Sequence, residues 1–279
     1  MNNYRIIYSL DAYPISNNRW GLGNKFKETI YMTALSVLYS HLWYDDIELY
    51  VDETAYKFLY MLPCNVTTID TNTDVEIWMK SKIKSIEKQT KPFIHVDTDV
   101  FIIKKINFDF DKVIIERNDT EYYSHYKSQL DFFNQYTEDV DFWNENLGYS
   151  FNCGIVGFRD LELRDQYVNA YYEIEKIFIK NRETYSLTVP KKYEPCIVLE
   201  QYTRASLLNH KDIKPTLLLE KQNLAENSKK AYNIGYNHIY GGKKYRSDIV
   251  GEIEFRLFKI FPYWYSQIKK ALQQENYAI

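Results

Sequence analysis

Pro92-Phe93-Ile94-His95-Val96-Asp97-Thr98-Asp99-Val100-Phe101-Ile102 is the stretch on which the reading of this chain turns. An apolar run ends on two carboxylates spaced two residues apart. In a regular strand, residues i and i+2 point to the same face. At a strand end, Asp97 and Asp99 can therefore converge on one hard cation. A divalent ion such as Mn²⁺ or Mg²⁺ prefers oxygen ligands and can bridge two phosphates. An isolated Asp-x-Asp is more often a solvated turn, because Asp favours turns and strand ends. Position shifts the balance here, since the pair ends the most apolar strand of the chain after about three strand–helix units.

Those units lie upstream. Arg5 to Leu10, Ile47 to Val51 and Val66 to Ile69 read as strands. Between them, Lys25 to Trp43 carries Ile30, Leu35, Val37, Leu38 and Leu42 at helical spacing, and Glu53 to Leu62 reads as a helix. Val75 to Lys88 reads as one helix with Ile77, Trp78, Ile83 and Ile86 on its apolar face, and Val113 to Glu116 as a further strand. Strands alternating with helices specify an α/β class with a mostly parallel central sheet and helices on both faces. In such sheets ligands sit beyond the carboxyl ends of the strands. His95, inside the strand, reads as a core or supporting group.

A second element lies far downstream: His238-Ile239-Tyr240-Gly241-Gly242-Lys243-Lys244. Neutral imidazole is a good ligand for Mn²⁺-class ions. Paired glycines let backbone amides approach a phosphate, and a lysine adds a mobile positive charge. Taken alone this is a glycine turn with a basic flank; taken with the acidic pair it forms a clamp for a metal and a diphosphate.

At this point the chain resembles the GT-A glycosyltransferases of the family-8 type, the group of glycogenin and the bacterial lipopolysaccharide galactosyltransferases. Asp97-Thr98-Asp99 is similar to their Asp-x-Asp, and His238, Gly241 and Lys244 match their distal His-x-x-Gly-x-x-Lys. Phe151-Asn152-Cys153-Gly154 resembles their Phe-Asn-(Ser/Ala)-Gly strand, with Cys153 at the small position. Glu200-Gln201-Tyr202 resembles their Asp-Gln segment, with Glu200 one methylene longer. The order holds over residues 4 to about 250, and kin of this kind are bacterial proteins of unassigned function. The resemblance implies a Rossmann-like GT-A fold, with residues 1–250 as the catalytic domain and 251–279 as a C-terminal helical tail packed on it. It implies Mn²⁺ or Mg²⁺ held by Asp97, Asp99 and His238. It implies a nucleoside-diphosphate-sugar donor, UDP-linked by preference, with retention on transfer to a hydroxyl acceptor, glycan or lipid-linked. Ser9, Asp11 and Tyr13 fall by the base and ribose. Asp97, Asn152, Gly154, Gly241, Gly242 and Lys244 fall on the rest of the donor. Glu200, Gln201 and Lys244 are the catalytic candidates.

Composition bounds the alternatives. The formal charge is −3, from 35 basic and 38 acidic residues, which does not suggest a nucleic-acid partner. Three scattered cysteines, Cys64, Cys153 and Cys196, suggest neither a disulfide framework nor a zinc site. Met1 to Arg5 lead into an apolar run with no signal core, so a cytoplasmic setting is expected. The 27 tyrosines suit stacking on sugars or bases, and equally suit a biased codon usage. Arg117 to Tyr149 is rich in aromatics, including Tyr122, Tyr123, Tyr126, Phe132, Phe133 and Trp143. It reads as a side core or as an acceptor wall. Basic and aromatic residues from Glu252 to Ala271 suit a docked helix, or peripheral contact with a membrane. The rival functions are a non-catalytic nucleotide- or carbohydrate-binding protein on the same fold, a phosphatase of the haloacid dehalogenase type, and a nucleotidyltransferase using Asn18 to Lys25 as its loop.

Overall fold

A computed structural model describes residues 4–17, 21–70, 74–119, 126–190, 194–220, 224–275 and 277. Seven strands form one sheet: β1 (Arg5–Leu10), β2 (Ile47–Val51), β3 (Asn65–Thr68), β4 (Phe93–Val96), β6 (Val113–Asn118), β7 (Phe151–Phe158) and β8 (Thr216–Leu219). Their spatial order is β3-β2-β1-β4-β7-β6-β8. β1 to β4 run parallel, and β7 runs against both its neighbours, β4 and β6. The sheet is thus mostly parallel, with one reversed strand at its centre. A two-stranded ribbon of β5 (Val100–Ile102) and β9 (Tyr236–His238) stands beside it.

Strand alternation explains why both faces are covered. In β1, Ile6, Tyr8 and Leu10 enter one apolar cluster while Ile7 enters the other. In β4, Ile94 and Val96 face one way and Phe93 the other. The first cluster receives α2 (Phe26–His41), α3 (Glu53–Leu59), α11 (Ser247–Ile260) and α12 (Pro262–Gln274). The second receives α4 (Lys80–Glu87), α5 (Lys127–Phe133), α6 (Leu161–Lys180), α7 (Arg182–Thr188), α8 (Pro195–Ile197) and α9 (Thr203–His210). Two further helices are α1 (Tyr13–Ser16) and α10 (Leu224–Ile234).

The helix expected from Val75 to Lys88 is broken. Asp74 accepts a hydrogen bond from the Glu76 amide and caps a single 3₁₀ turn at Val75–Ile77, and α4 starts only at Lys80. The break leaves Trp78 at the mouth of the cavity described below. Pro262 separates α12 from α11. It occupies the first turn of α12, where its missing N–H is no loss. α11 packs on α2, and Tyr277 stacks on Phe26 with ring centroids 4.6 Å apart. Phe132, Phe133 and Tyr185 pack edge-on within the second core, so this part of the aromatic segment is a side core. Tyr122, Tyr123 and His125 lie outside the described residues, as do Asn18, Arg19 and Trp20. Among the described residues no helix is long and apolar enough to cross a membrane.

β4 and β7 meet where Gly157 pairs with Ile94. A Cβ at Gly157 would stand 2.7 Å from the Phe93 carbonyl oxygen and against the Ile94 side chain. Backbone cannot yield there as a flexible side chain can. Gly157→Ala is expected to cost about 3 kcal/mol and to lower the melting temperature by roughly 5 °C or more. A circular-dichroism melt checks this, and an unshifted midpoint contradicts it.

Candidate active site

The carboxyl ends of the parallel strands open into a cavity of about 1080 Å³. Asp97 follows β4 directly, and its amide donates to the Gly154 carbonyl of β7. The Val100 amide then donates back to the Asp97 carbonyl, so Asp97, Thr98 and Asp99 sit in a tight turn. This corrects the expectation of a regular strand end. The two carboxylates are brought to one cavity by a turn, and each faces a different partner.

Asp99 is nearly buried. Its Oδ2 accepts from Lys244 Nζ at 2.8 Å, and its Oδ1 lies 3.5 Å from His238 Nε2. Antiparallel pairing of Val100 with His238 brings the distal motif here, across nearly 140 residues of chain. Burial alone would raise the Asp99 pKa; Lys244 and His238 outweigh it and hold the carboxyl well below its usual range. Asp97 is more open, with 32% of its side chain exposed, and its Oδ1 accepts from Lys82 Nζ at 2.7 Å. Burial, together with Glu200 and Asp99, pushes Asp97 up to about 6 against the pull of Lys82.

Two residues escaped the sequence reading, Lys82 on the cavity wall and Glu116 behind it. Lys82 is 3% exposed, and its ammonium bridges Asp97, Glu200 Oε1 at 2.8 Å and the Cys153 carbonyl at 2.8 Å. Burial works against its charge, and Asp97 and Glu200 outweigh burial, raising its pKa above the ordinary lysine range. Arg204, also fully buried, donates to Cys153 Sγ and lies over the Tyr167 ring at 4.1 Å. The second overlooked residue is Glu116, whose carboxylate accepts from His238 Nδ1 at 2.8 Å. Burial disfavours the His238 cation, but Glu116 and Asp99 raise its pKa to about 10. His95 is held neutral, because burial, Lys82 and Arg204 all lower its pKa. Its Nε2 bonds Ser9 Oγ at 2.9 Å, while Nδ1 lies 3.5 Å from Asp97, so it links β1 to the acidic turn.

Most of the expected site residues share this one cavity. Ser9, Asp11, Asp97, Asp99, Asn152 and Gly154 line it from the sheet side. Gln201, His238, Gly241, Gly242 and Lys244 line the other walls. Gly241, at φ +61°, opens a 3₁₀ turn over Gly241–Tyr245 that holds the glycines at the rim. Tyr13 does not line the cavity, although its neighbours Pro14 and Ile15 do. Glu200 does not line it either. α8 and α9 form one helix interrupted by a π-turn at Val198–Tyr202, which turns Gln201 outward and leaves Glu200 buried on Lys82. π-turns of this kind frequently mark functional sites. The Gln201 side-chain oxygen Oε1 accepts from Tyr126 OH at 2.6 Å.

Among the described residues no three His, Cys, Asp or Glu side chains are gathered closely enough to enclose an ion by themselves. The donor chemistry nevertheless fits a hard divalent cation completed by ligand oxygens. Asp99 Oδ1 and His238 Nε2, at 3.5 Å, stand at roughly the separation of neighbouring ligands on one ion. Asp97 offers a further carboxylate on the same cavity wall.

Asp11 has a different environment. Burial and the neighbouring Asp52 push its pKa up to about 7, against the hydrogen bond from the Tyr13 amide. A raised carboxyl pKa favours folding while the group is protonated. That contribution is complete below the unfolded value near 4 and is lost as pH rises through about 7. Asp11→Asn removes the titration. Between pH 5 and 8 the variant should lose on the order of 2 kcal/mol less stability than wild type. Urea titrations at the two pH values measure it, and parallel losses would contradict it.

No curated protein matches the chain. Among solved structures it is similar over 97% of its length to the WbbM bifunctional glycosyltransferase, with a TM-score of 0.50 and 9% identity, covering 52% of that chain. It is also similar to the galactosyltransferase LgtC in complex with donor and acceptor sugar analogs, at 12% identity and a TM-score of 0.43, covering 99% of this chain and 97% of that one. The structural neighbours are GT-A glycosyltransferases, and the fold is of that kind. The profile of the Family of unknown function (DUF6734) matches residues 10–271, and the chain therefore belongs to that family.

Proposed function

We propose that this protein is a metal-dependent glycosyltransferase that moves a sugar from a nucleoside-diphosphate sugar to a hydroxyl acceptor. One observation carries the reading: Asp97, Asp99, His238, Lys244, Asn152 and Gln201, from four separate stretches of chain, line a single cavity at the carboxyl ends of the sheet. Asp97, Asp99 and His238 would hold a divalent cation, and that ion would supply positive charge against the diphosphate leaving group. Lys244, now on Asp99 beside the amides of the Gly241–Tyr245 turn, would supply a further positive charge to the same anion. Charge placed where charge develops is usually the largest catalytic contribution. Asn152 and Gln201 supply amide groups for the sugar hydroxyls, and Ser9 and Asp11 lie on the wall assigned to the base and ribose. Glu200 acts from below: through Lys82 it fixes Asp97 rather than touching the sugar. The motif resemblance favours UDP, a hexosyl group and retention.

The acceptor would enter past Trp78, Tyr126 and Gln129, at the far side of Gln201. On the outer face of α11 and α12, Phe255, Phe258, Ile260 and Tyr263 are exposed beside Arg256 and Lys259. That face suits contact with an anionic bilayer and a lipid-linked acceptor. The GT-A fold leaves the phosphatase reading without its scaffold. Non-catalytic binding keeps one observation in its favour, because Lys82 and Lys244 already satisfy the two aspartates.

A thermal-shift panel of nucleoside diphosphates and nucleotide sugars, with Mn²⁺, Mg²⁺ or chelator, tests the reading. A ligand at a hundred times its Kd stabilises by about 2.7 kcal/mol. We expect stabilisation by one nucleotide series, lost with chelator, and release of nucleoside diphosphate on incubation. Stabilisation without release supports the binding protein; no stabilisation by any nucleotide removes the proposal.

A further inference from the structure

We infer that Glu116 is a positioning residue for His238: it takes the Nδ1 hydrogen and thereby commits Nε2 to the cavity beside Asp99, as the nitrogen that receives a divalent cation. The inference rests on the function proposed above and adds a residue outside the motifs that suggested it.

Two observations and two rules of ligand chemistry introduce it. Glu116 is fully buried and is not on the cavity wall, so it acts through another group. Its two oxygens lie 3.0 and 2.8 Å from His238 Nδ1. A carboxylate only accepts, so the ring nitrogen facing it carries the hydrogen and the other faces Asp99. Metal-binding histidines commonly donate their second N–H to a carboxylate, which fixes the tautomer and makes the ligand more basic.

The backbone is shaped around this contact. Between Ile115 and Arg117 the pairing of β6 with β7 shifts register: β7 advances from Val156 to Asn152 while β6 advances by two residues. Irregularities of this kind re-aim side chains next to active sites. Gly154 lies in the shifted stretch. A Cβ there would stand 2.5 Å from Glu116 Oε2, 2.6 Å from His238 Nδ1 and against Cε1. The absence of a side chain at residue 154 is what lets the carboxylate and the imidazole meet.

Two phenols lock the carboxylate in turn. Tyr240 OH donates to Oε1 at 2.9 Å and Tyr236 OH at 3.4 Å. Tyr240 also lies against the His238 ring, with centroids 3.9 Å apart. The ring is thus held by its edge, by its face and by the β5–β9 ladder, and only the Nε2 edge remains turned to Asp99.

The test measures Mn²⁺ binding in the presence of UDP, by the electron paramagnetic signal of free Mn²⁺, for wild type and Glu116→Gln. We expect the variant to keep its circular-dichroism spectrum and to bind Mn²⁺ about 10- to 100-fold more weakly. A lowered melting temperature with an unchanged Mn²⁺ Kd means a merely structural glutamate and overturns the inference. A wild type that takes no Mn²⁺ overturns the proposed function and the inference together, whereas equal binding by both proteins overturns the inference alone. A second measurement does not depend on how the variant folds. In wild type labelled with ¹⁵N-histidine, Mg²⁺ and UDP should shift the His238 Nε2 resonance while Nδ1 keeps its hydrogen. A ring that carries its hydrogen on Nε2 in that complex overturns the inference.

Discussion

Asp99→Asn should lower metal-dependent hydrolysis of the nucleotide-sugar donor by about a hundredfold or more, since removing even a supporting partner of a ligand costs about 10- to 100-fold. The side chain keeps its shape but loses the charge that attracts the cation. It also loses the attraction that places Lys244 Nζ at 2.8 Å and His238 Nε2 at 3.5 Å. The variant should remain folded, because Lys244 is partly exposed and can recover hydration. It should still melt a few degrees lower at neutral pH. The depressed Asp99 pKa contributes stability above the ordinary carboxyl value, lost only as pH falls through the folded one. The difference between the two proteins should therefore shrink in acid. The assay is release of nucleoside diphosphate from the nucleotide sugar that stabilises wild type, with and without Mn²⁺. Hydrolysis at the wild-type rate would show that Asp99 holds no catalytic cation, and the assignment of the acidic pair would fall with it.

Much of this arrangement can be read from the residue string, for identifiable reasons. Strand identity is carried by short apolar runs such as Phe93 to Val96, and those runs are buried in the sheet. The acidic turn is legible because the pair ends the most apolar strand of the chain and has a distal His-Gly-Lys element to pair with. Glu116 follows Val113-Ile114-Ile115 by the same grammar, yet it reads as a simple strand end. What raises it to a site residue is the register shift against β7, and register is a property of two strands. Lys82 is hidden differently. It sits four residues from both Trp78 and Ile86, on the apolar side of its helix, where lysine is normally tolerated only if its head escapes to water. That misplacement is a local signal. Its meaning depends on Asp97 and Glu200, which only the folded chain brings within 2.8 Å. Glu200 itself reads as a catalytic carboxylate by alignment with Gln201, and helix periodicity alone cannot foresee the π-turn that separates their directions.

Lys82→Met should destabilise the fold more than any other cavity-wall substitution, by about 3 to 5 kcal/mol. Breaking a buried ion pair by removing one partner leaves the other charge uncompensated. Here two carboxylates lose the same ammonium, Asp97 at 2.7 Å and Glu200 at 2.8 Å, and the Cys153 carbonyl loses its donor as well. Arg204 Nη2 is 3.8 Å from Glu200 Oε1 and compensates it only in part. At about 2 to 4 °C per kcal/mol, the midpoint should fall by roughly 6 °C or more. The pH dependence identifies the cause. Lysine stays charged in wild type throughout the range from pH 5 to 8, because its pKa is raised. Asp97 already stands at about 6 with the lysine present. Without the lysine its pKa rises further, so the variant relieves its buried charge by taking up a proton in acid. The deficit should therefore be smallest near pH 5 and grow towards pH 8. Lys82→Met combined with Glu200→Gln should recover part of the loss, since one of the two stranded charges is then gone. A deficit that is independent of pH and unchanged by Glu200→Gln would mean that Lys82 acts through its packed methylene stem, and that the two carboxylates are not coupled through its charge.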